Sequence, residues 1–539
     1  MLRLVESNWS AERPRCVLMP KDPAADETLA TSDTLPTVRD VQLRDGDAQQ
    51  LFAWAESNHS LLAADQQTMK IGFDYEQAPS GLECLQVLRW LPPRRLVFIG
   101  LLDGTKVVVK LFLGTSCDRY AEREKAGIGA IRSAAVATPA LIADWALKDD
   151  SLRLRALILE FVEAVAVTAE LVATTELGWS DFARVLARLN EQGYAHEDFH
   201  LGNLLYQRDQ LGATTQLWLV DGDGVRASRR AQSKPYAISQ FAEMCAQAER
   251  ALSGEQVDTA WRAYCGQRGW TIAAGRDDKI LRCVGDARRR RILRYQIKTR
   301  RQCSAVSSTR ANRVHLLVNR DWWRDNAGSV KTAHSQAFSD WLRELPMNFS
   351  GYEVLKAGNT ATLSQTLWEG HPLVIKRYNN KSVWHRLRRF VRPDRGLNSW
   401  VYGHTLGLVG ISSPTPVALS RTRFAGPTYL VMSAIDGETL TAQHCEQSNG
   451  MFEQCAAMLD ALAAEGIVHG DMKASNLLVQ SVHMGQKLAP LFVLDLDAMR
   501  MPRWRIARRS GEIRDKRRFL RNFAGAPSAQ QRFRSILEL

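Results

Sequence analysis

The stretch "GYAHEDFHLGNLL" at residues 193–205 decides how this chain is interpreted, because "GIVHGDMKASNLL" at residues 466–478 repeats its spacing. Four residue types recur at a constant offset of 273 positions. The pairs are Gly193 with Gly466, His196 with His469, Asp198 with Asp471 and Asn203 with Asn476. Self-similarity at a fixed distance indicates that one structural unit occurs twice in the chain.

Two further landmarks extend the repeat. Downstream, Asp221 ends an apolar run in "LWLVDGD", and Asp495 does the same in "LFVLDLD". Upstream, Lys110 ends "GTKVVVK", and Lys376 ends "GHPLVIK". Two matches that keep the same order of Lys, His, Asp, Asn and Asp are not expected by chance.

Each His-x-Asp stretch is predicted to be a loop between a buried helix and a buried strand. Ahead of the first loop, Ser180 or Asp181 is expected to cap a helix that Gly193 ends, and Gly466 is expected to end the equivalent helix. The two histidines are expected to brace their loops through hydrogen bonds rather than to act as bases. Such a frame is a rigid platform for loop chemistry.

These residue types fit phosphoryl transfer from ATP to a hydroxyl group. The reaction needs an Asp that accepts the hydroxyl proton, an Asn and a second Asp that hold Mg²⁺, and a Lys that binds the phosphates. The first half offers Asp198, Asn203, Asp221 and Lys110, and the second half offers Asp471, Asn476, Asp495 and Lys376. Two residues beyond each catalytic Asp, His200 and Lys473 are candidates to contact the γ-phosphate.

Length and charge set further limits. A chain of 539 residues with 45% apolar content is long enough for two to four globular domains. Its formal net charge of +13 is concentrated in basic runs at residues 287–301 and 500–539, which suit anionic partners unless they are merely solvated helix faces. We find no leader and no apolar run of bilayer-spanning length, and we therefore expect a cytoplasmic protein.

The motifs resemble those of the protein-kinase-like fold, and more narrowly those of the lipopolysaccharide core kinase family. The resemblance is carried by "LVIKRYN", "HGDMKASN" and "VLDLDAMR" within residues 350–500, and more loosely by residues 95–226. It implies an α+β chain of two tandem protein-kinase-like bilobal domains, at residues 1–300 and 301–539, each with a β-rich N-lobe and a helical C-lobe. It also implies ATP with Mg²⁺ as cofactors.

The same resemblance implies a partner and a place of action. The family phosphorylates Kdo or heptose sugars, so the expected acceptor is a hydroxyl of a phosphorylated glycolipid, the lipopolysaccharide core, at the cytoplasmic face of the inner membrane. The basic surface agrees with peripheral contact to an anionic membrane, and nucleic acid is not expected as a partner. The basic residues 500–523 are expected to form a helix that either packs on its lobe or lies on such a membrane.

The two halves depart differently from the family pattern. In the first half Glu124, or alternatively Glu122, is expected to pair with the strand lysine, whereas the second half has no acid between Asp394 and Asp436. For the loop that covers the phosphates, the second half offers "AGNTAT" at residues 357–362, and the first half only a hairpin at residues 103–104.

We therefore expect the first half to be the catalyst, because its charged set is complete. Two other hypotheses stay open. In the first, the chain is a tandem pseudokinase scaffold that regulates envelope biosynthesis. In the second, it is a kinase of a protein or of another small alcohol.

Overall fold

The computed structural model of the chain describes most of the sequence in segments. These are residues 38–43, 47–58, 67–75, 78–91, 94–148, 153–175, 177–208, 215–272, 277–311, 314–326, 332–379, 394–422, 426–448, 450–481 and 489–537.

The chain forms two compact units. Unit 1 comprises Met1–Gln247 and Gly254–Cys283, and unit 2 comprises Ala248–Ser253 and Val284–Leu539. The predicted domain limits, 1–300 and 301–539, remain a proposal about which residues fold together.

Unit 1 begins with strands that form a closed barrel, with two helices packed on it. Its elements are β1 (Val38–Leu43), α1 (Asp47–Asn58), β2 (Met69–Tyr75), β3 (Ala78–Leu91), β4 (Arg95–Leu102), β5 (Thr105–Leu113), α2 (Cys117–Ser133), β6 (Leu141–Lys148) and β7 (Arg153–Glu160). The strand order is β1-β2-β3-β4-β5-β7-β6, and β1 pairs with both β2 and β6. Buried aliphatic residues along β4, β5 and β7 form one side of the core.

The remainder of unit 1 is largely helical and carries the first repeat. Its elements are β8 (Val165–Ala166), α3 (Ala169–Thr174), α4 (Trp179–Glu191), β9 (Tyr194–His196), β10 (Leu204–Arg208), β11 (Thr215–Leu219), β12 (Val225–Ala227), α5 (Lys234–Cys245), α6 (Gly254–Gln267) and the first turns of α7 (Asp278–Lys298). The apolar face of α4 is fully buried, as its spacing predicts.

The start of α4 differs from the prediction of a cap at Ser180 or Asp181. The N-cap is Gly178, and Asp181 lies at the third helical position, where its carboxylate accepts a hydrogen bond from the Gly178 amide at 2.9 Å. A carboxylate at the third helical position satisfies the amide of the N-cap residue, which is the reciprocal half of a capping box, so Asp181 stabilises the start of the helix from inside its first turn.

Unit 2 repeats the order of a sheet followed by helices. Its elements are β13 (Val306–Ala311), β14 (Val314–Asn319), α8 (Arg320–Asn326), α9 (Thr332–Asn348), β15 (Glu353–Ala357), β16 (Ala361–Trp368), β17 (His371–Tyr378), α10 (Arg395–Leu408), β18 (Pro416–Thr422), β19 (Thr428–Ser433), β20 (Gly437–Thr439), α11 (Ala442–Gln447), α12 (Met451–Ala464), β21 (Leu477–Gln480), β22 (Leu491–Val493), α13 (Arg505–Leu520) and α14 (Pro527–Leu537). The large sheet has the order β13-β14-β18-β19-β17-β16-β15.

The predicted α+β class is confirmed, since each unit joins a β-rich part to a helical part. In unit 2 the helical part has its own core, in which Phe452, Phe519, Phe523 and Phe533 pack on one another. That unit 2 is a second kinase remains a prediction. Among the residues that the structure describes, no helix combines the length and the apolar character needed to cross a bilayer.

Both sheets contain the same tight hairpin in corresponding places. Asp103 and Gly104 have φ values of 50° and 82°, and Glu369 and Gly370 have φ values of 47° and 83°. Two consecutive residues with positive φ are the signature of a type I′ turn between antiparallel strands. The hairpin that joins β4 to β5 is therefore the counterpart of the one that joins β16 to β17.

This correspondence corrects the interpretation of residues 103–104 as the phosphate-covering hairpin. Lys110 lies opposite Val97, near the connection between β3 and β4, and Lys376 lies opposite Leu363, near the connection between β15 and β16. The hairpin at residues 103–104 is at the far end of β5. The prediction was wrong because an Asp-Gly pair is a strong turn signal, whereas the connection between β3 and β4 contains no glycine.

Candidate active site

The first repeat places its loop between α4 and two short strand pairs. Gly193, with φ of 79°, ends the helical segment, and β9 then pairs with β12. After a 3₁₀ turn at Leu201–Asn203, β10 pairs with β11, and the Val220 amide donates to the Asn203 carbonyl at 2.9 Å. These pairings bring the Asn of the loop to the same end of the strands as Asp221.

Asp198 is the most accessible of the candidate residues in unit 1. Its side chain is 73% exposed, and its carboxylate lies 3.6 Å from His200 Nε2. The Asp198 amide donates to His196 Nδ1 at 3.2 Å, and the Asn203 side-chain amide donates to the Asp198 carbonyl at 3.0 Å. Burial lowers the pKa of His196 to about 4, so the ring is neutral and braces the loop as an acceptor.

Lys110 is held by the glutamate of α2. Its ammonium group donates to the Glu124 carboxylate, and both side chains are buried. Glu122, the alternative partner, instead accepts from Arg155 at 2.5 Å. Burial raises the pKa of Glu124, and the positive charge of Lys110 opposes that rise.

The same glutamate also holds the turn that follows Asp221. Its two carboxylate oxygens accept hydrogen bonds from the amides of Gly222 at 3.0 Å and Asp223 at 3.1 Å. The backbones approach so closely that a Cβ placed on Gly127 would lie 1.9 Å from the Gly222 carbonyl oxygen. The contact therefore requires glycine at position 127, and Glu124 fixes the lysine and this turn together.

Two candidate metal ligands among the described residues of unit 1, Asn203 and Asp221, each have a buried side-chain oxygen, Oδ1, that lacks a hydrogen-bond partner. Asp223 Oδ1 also lacks one, but it forms an ion pair with Arg123 at 3.1 Å. Although burial by itself would raise the pKa of Asp221, Lys110 at 3.9 Å and Arg95 at 3.8 Å lower it below its ordinary value. An amide oxygen and an ionised carboxylate are hard ligands of the kind that Mg²⁺ prefers, so this pair fits that ion.

The donor set is too small for a metal site built by protein alone. No group of three or more His, Cys, Asp or Glu in the described part of the chain is arranged to hold a metal. Mg²⁺ typically takes only one or two protein ligands and completes its shell with water and substrate phosphates. The Asn203 and Asp221 pair is consistent with that mode.

Sequence reasoning missed two arginines whose charges act on Asp221. Arg95 begins β4 directly after the connection from β3, and its guanidinium reaches Asp221 as given above. The pKa of Arg89, on β3, is lowered by burial and by Arg95, while Asp221 and Asp198 oppose the decrease. The end of the hairpin near Lys110 therefore carries arginines where a glycine-rich loop would offer backbone amides. The signal in the sequence was the "RWLPPRR" run at residues 89–95.

The second repeat has the same backbone. Gly466 has φ of 67°, a 3₁₀ turn at Ala474–Asn476 follows the loop, and the Asn476 side-chain amide donates to the Asp471 carbonyl at 2.8 Å. The Asp471 amide donates to His469 Nδ1 at 3.3 Å.

The two strand-ending aspartates share a left-handed conformation. The φ value of Asp221 is 76° and that of Asp495 is 57°. A non-glycine residue seldom adopts this conformation, although Asp tolerates it better than most. The repeat thus extends from residue types to an uncommon backbone geometry.

The lysine of unit 2 has a different partner. Lys376 donates directly to the Asp495 carboxylate. On α10, where the glutamate is missing, Ser399 instead accepts a hydrogen bond from the Tyr378 hydroxyl at 2.8 Å. Although burial would raise the pKa of Asp495, Lys376 lowers it. The candidate metal ligand of unit 2 is thus occupied by a protein cation.

The candidate catalytic carboxylate of unit 2 is also paired. Asp471 forms ion pairs with Lys473, at 3.0 Å, and with Arg518 of α13. Asp515, one turn earlier on α13, accepts hydrogen bonds from the amides of His469 at 2.7 Å and Gly470 at 3.1 Å. Sequence reasoning missed both residues of α13.

Comparison with known proteins points to one family. The model of the Lipopolysaccharide kinase (Kdo/WaaP) family matches residues 115–264, which belong to unit 1 except for Ala248–Ser253. The match confirms the predicted resemblance for this segment, and with it the class of ATP-dependent kinases. It falls in the half in which the motifs indicated the looser resemblance.

A solved structure described as "WaaP in complex with acyl carrier protein" aligns with 34% of this chain and 80% of its own, at 18% identity and a TM-score of 0.27. No curated protein matches the sequence.

Proposed function

We propose that unit 1, which contains most of the segment that matches the lipopolysaccharide kinase family, transfers the γ-phosphate of ATP to a sugar hydroxyl of the lipopolysaccharide core, Kdo or heptose, or of a related envelope saccharide. One observation carries the proposal. Asn203 Oδ1 and Asp221 Oδ1 are buried and lack hydrogen-bond partners, beside a lysine that Glu124 already holds. A buried oxygen without a partner is costly, and a bound cation would remove that cost.

Each residue of unit 1 then has a defined task. Lys110, oriented by Glu124, binds the phosphates of ATP, and Arg95 adds positive charge from the adjacent hairpin. Asp198 is exposed and accepts the proton of the acceptor hydroxyl, and His200, whose Nε2 lies 3.6 Å from the Asp198 carboxylate, contacts the transferred phosphoryl group. When bound by Asn203 and Asp221, Mg²⁺ supplies neutralisation of charge on the phosphates.

The positive charge of the chain supports the proposed acceptor and the proposed place of action. The chain has a formal net charge of +13, which favours a phosphorylated glycolipid over a neutral sugar. We propose that the enzyme works as a peripheral protein on the cytoplasmic face of the inner membrane, where such an acceptor is presented.

For unit 2 we propose a regulatory or scaffolding role rather than phosphoryl transfer. Lys376 occupies Asp495, and Arg518 and Lys473 occupy Asp471. Binding of Mg²⁺ or activation of a hydroxyl would first have to break these ion pairs. These ion pairs favour the scaffold hypothesis for unit 2.

The test is a matched pair of substitutions in the full chain. The purified protein is incubated with labelled ATP, Mg²⁺ and core glycolipid, with a free monosaccharide and a generic protein as alternative acceptors. We expect Asp198→Asn to reduce transfer to the glycolipid by roughly 10²–10⁴-fold, the usual contribution of a general base, and Asp471→Asn to leave the rate unchanged.

Three results would count against the proposal. Loss of transfer in Asp471→Asn alone would reverse the assignment of the two units. Transfer that is insensitive to both substitutions would exclude the mechanism. Transfer to the protein or to the monosaccharide, with none to the glycolipid, would exclude the proposed acceptor.

A further inference from the structure

The beginning of α13 presents large apolar side chains to solvent. Trp504 is 70% exposed and Ile506 is 86% exposed, whereas Phe519 and Leu520 near the end of the helix are buried in the core of unit 2. The sequence left two alternatives for this basic helix, packing on its lobe or lying on a membrane. Its second half packs, and its first turn does not.

The exposed apolar pair lies within a segment of uncompensated positive charge. Residues 498–511 contain five arginines and no Asp or Glu. Within the described residues no carboxylate forms an ion pair with any of them, and the Arg503 guanidinium lies over the Trp504 ring, 5.5 Å from its centroid. The five are Arg500, Arg503, Arg505, Arg508 and Arg509.

A second helix of unit 2 adds to this charge. Arg289 of α7 donates to the Met501 carbonyl at 3.0 Å, which fixes α7 beside the segment. Burial, and then the nearby positive charge of Arg508, lowers the pKa of Arg289. Leu293 and Ile297 follow Arg289 at intervals of four residues, so they share its helix face, and they are 37% and 58% exposed.

We propose that residues 500–509, which we call the arginine-tryptophan surface, dock unit 2 on an anionic lipid bilayer. Trp504 and Ile506 enter the boundary between headgroups and acyl chains, and the arginines contact lipid phosphates. Exposed apolar side chains flanked by basic residues are the features by which a helix lies in a membrane interface. A soluble phosphate would need the arginines but would not account for the exposed isoleucine.

The test measures retention of the full chain by vesicles, without ATP and without glycolipid. One set of vesicles contains phosphatidylcholine only, and a second contains phosphatidylcholine mixed with phosphatidylglycerol. We expect binding to the anionic set that weakens as salt is added. The double variant Trp504→Ser and Ile506→Ser should bind at least about tenfold more weakly, because the apolar contribution is lost.

Two further variants define the contribution of charge and the control. A triple variant should bind anionic vesicles more weakly, and its binding should depend less on salt concentration. Its substitutions are Arg503→Gln, Arg505→Gln and Arg509→Gln. Met347→Ser with Leu367→Ser is the matched control, because these side chains are 73% and 69% exposed in the same unit but lie outside the arginine-tryptophan surface. The control should bind like the natural chain.

The proposal fails if anionic vesicles do not retain the chain, or if the double variant and the control bind equally. It also fails if neutral vesicles bind as well as anionic ones. Retention of RNA that depends on the same arginines, without retention of vesicles, would assign the surface to nucleic acid. Because no phosphoryl transfer is measured, failure here leaves the proposed activity of unit 1 untouched, and the reverse also holds.

Discussion

The two repeats share a backbone and differ in what holds their carboxylates. In unit 1, Lys110 is held by Glu124, and Asp221 keeps an oxygen that accepts no hydrogen bond. In unit 2, no glutamate is available, and Lys376 is bound to Asp495 itself. The same loop, strand order and left-handed aspartate thus support an open site in one unit and a closed one in the other.

The difference shows what the glutamate does. A buried ammonium group needs a carboxylate, because a buried charge without a partner is costly. When α2 supplies that carboxylate, the strand-ending aspartate remains available to a metal. When α10 supplies a serine instead, the lysine takes the aspartate. One residue in a helix therefore decides whether the second carboxylate can serve as a ligand.

The largest expected effect comes from removing the open carboxylate. Asp221→Asn should lower phosphoryl transfer on the order of 10³-fold, because the neutral amide stabilises the metal and its phosphates by several kcal/mol less. Asp495→Asn, the matched change in unit 2, should leave the rate unchanged. Initial rates with labelled ATP and core glycolipid check both. Equal losses in the two variants would mean that unit 2 takes part in the reaction.

A smaller loss of activity is expected when the carboxylate that pairs with Lys110 is neutralised. Glu124→Gln should lower kcat/KM roughly 10²-fold, because Lys110 is left to pair with Asp221, as its counterpart does in unit 2. Glu122→Gln is the control, since Glu122 is paired with Arg155. Steady-state kinetics of both variants provide the measurement. Activity of Glu124→Gln close to that of the control would show that the glutamate does not keep the site open.

The arginine at the hairpin should affect ATP binding more than chemistry. Arg95→Ala should raise KM for ATP about tenfold with little change in kcat, the effect of losing one charge-assisted contact made equally in the ground and transition states. Lys106→Ala, at the opposite end of the same strands, serves as the control. A change in kcat alone would place Arg95 with the groups that act in the transition state.

The smallest effect concerns acid stability of unit 2. Burial lowers the pKa of His404 to about 4 from 6.5, so the unfolded chain binds a proton more readily than the folded one between those values. Stability from this group is therefore complete above the unfolded pKa and decreases as pH falls. From neutral pH to about 5.5, we expect the free energy of unfolding to decrease by about 1 kcal/mol more in the natural chain than in His404→Leu.

Denaturant unfolding of the two proteins at both pH values measures this difference. The ring of His404 packs against Trp400 with centroids 4.4 Å apart, so the substitution also changes stability at neutral pH. The comparison therefore uses the change with pH and not the absolute values. Parallel decreases in the two proteins would show that His404 is protonated in the folded state.

The sequence predicted those parts of the sites that lie close together in the chain. The spacing within residues 193–205 and 466–478 is local, and the loops are where it indicates. The possible pairing of Glu124 with Lys110 was also visible, because both lie within one strand-to-helix connection. The sequence also shows that unit 2 lacks this acid, and it places Lys376 and Asp495 in one site. It does not show that the two side chains pair directly, because they lie 119 positions apart and their contact depends on the fold.

The errors and omissions have physical causes. The hairpin at residues 103–104 was considered for the phosphate-covering loop because Asp-Gly is a strong turn signal. Which end of β5 faces the site depends instead on the register of strand pairing, which places Lys110 near the other end of the hairpin. Arg95 was missed because an arginine at the start of a strand is an ordinary surface residue until its partner is known. Asp515 and Arg518 were missed for the same reason, since they reach the loop only after α13 packs.

Three groups depend on a single carboxylate of α2. Glu124 accepts from Lys110 and from the amides of Gly222 and Asp223. A tilt of the helix away from the strand would deprive the ammonium group of its counter-ion and loosen the aspartate turn in a single movement. The lysine and the turn would therefore be released together. An effector that moved α2 would switch the site on or off and would not adjust its activity by degrees.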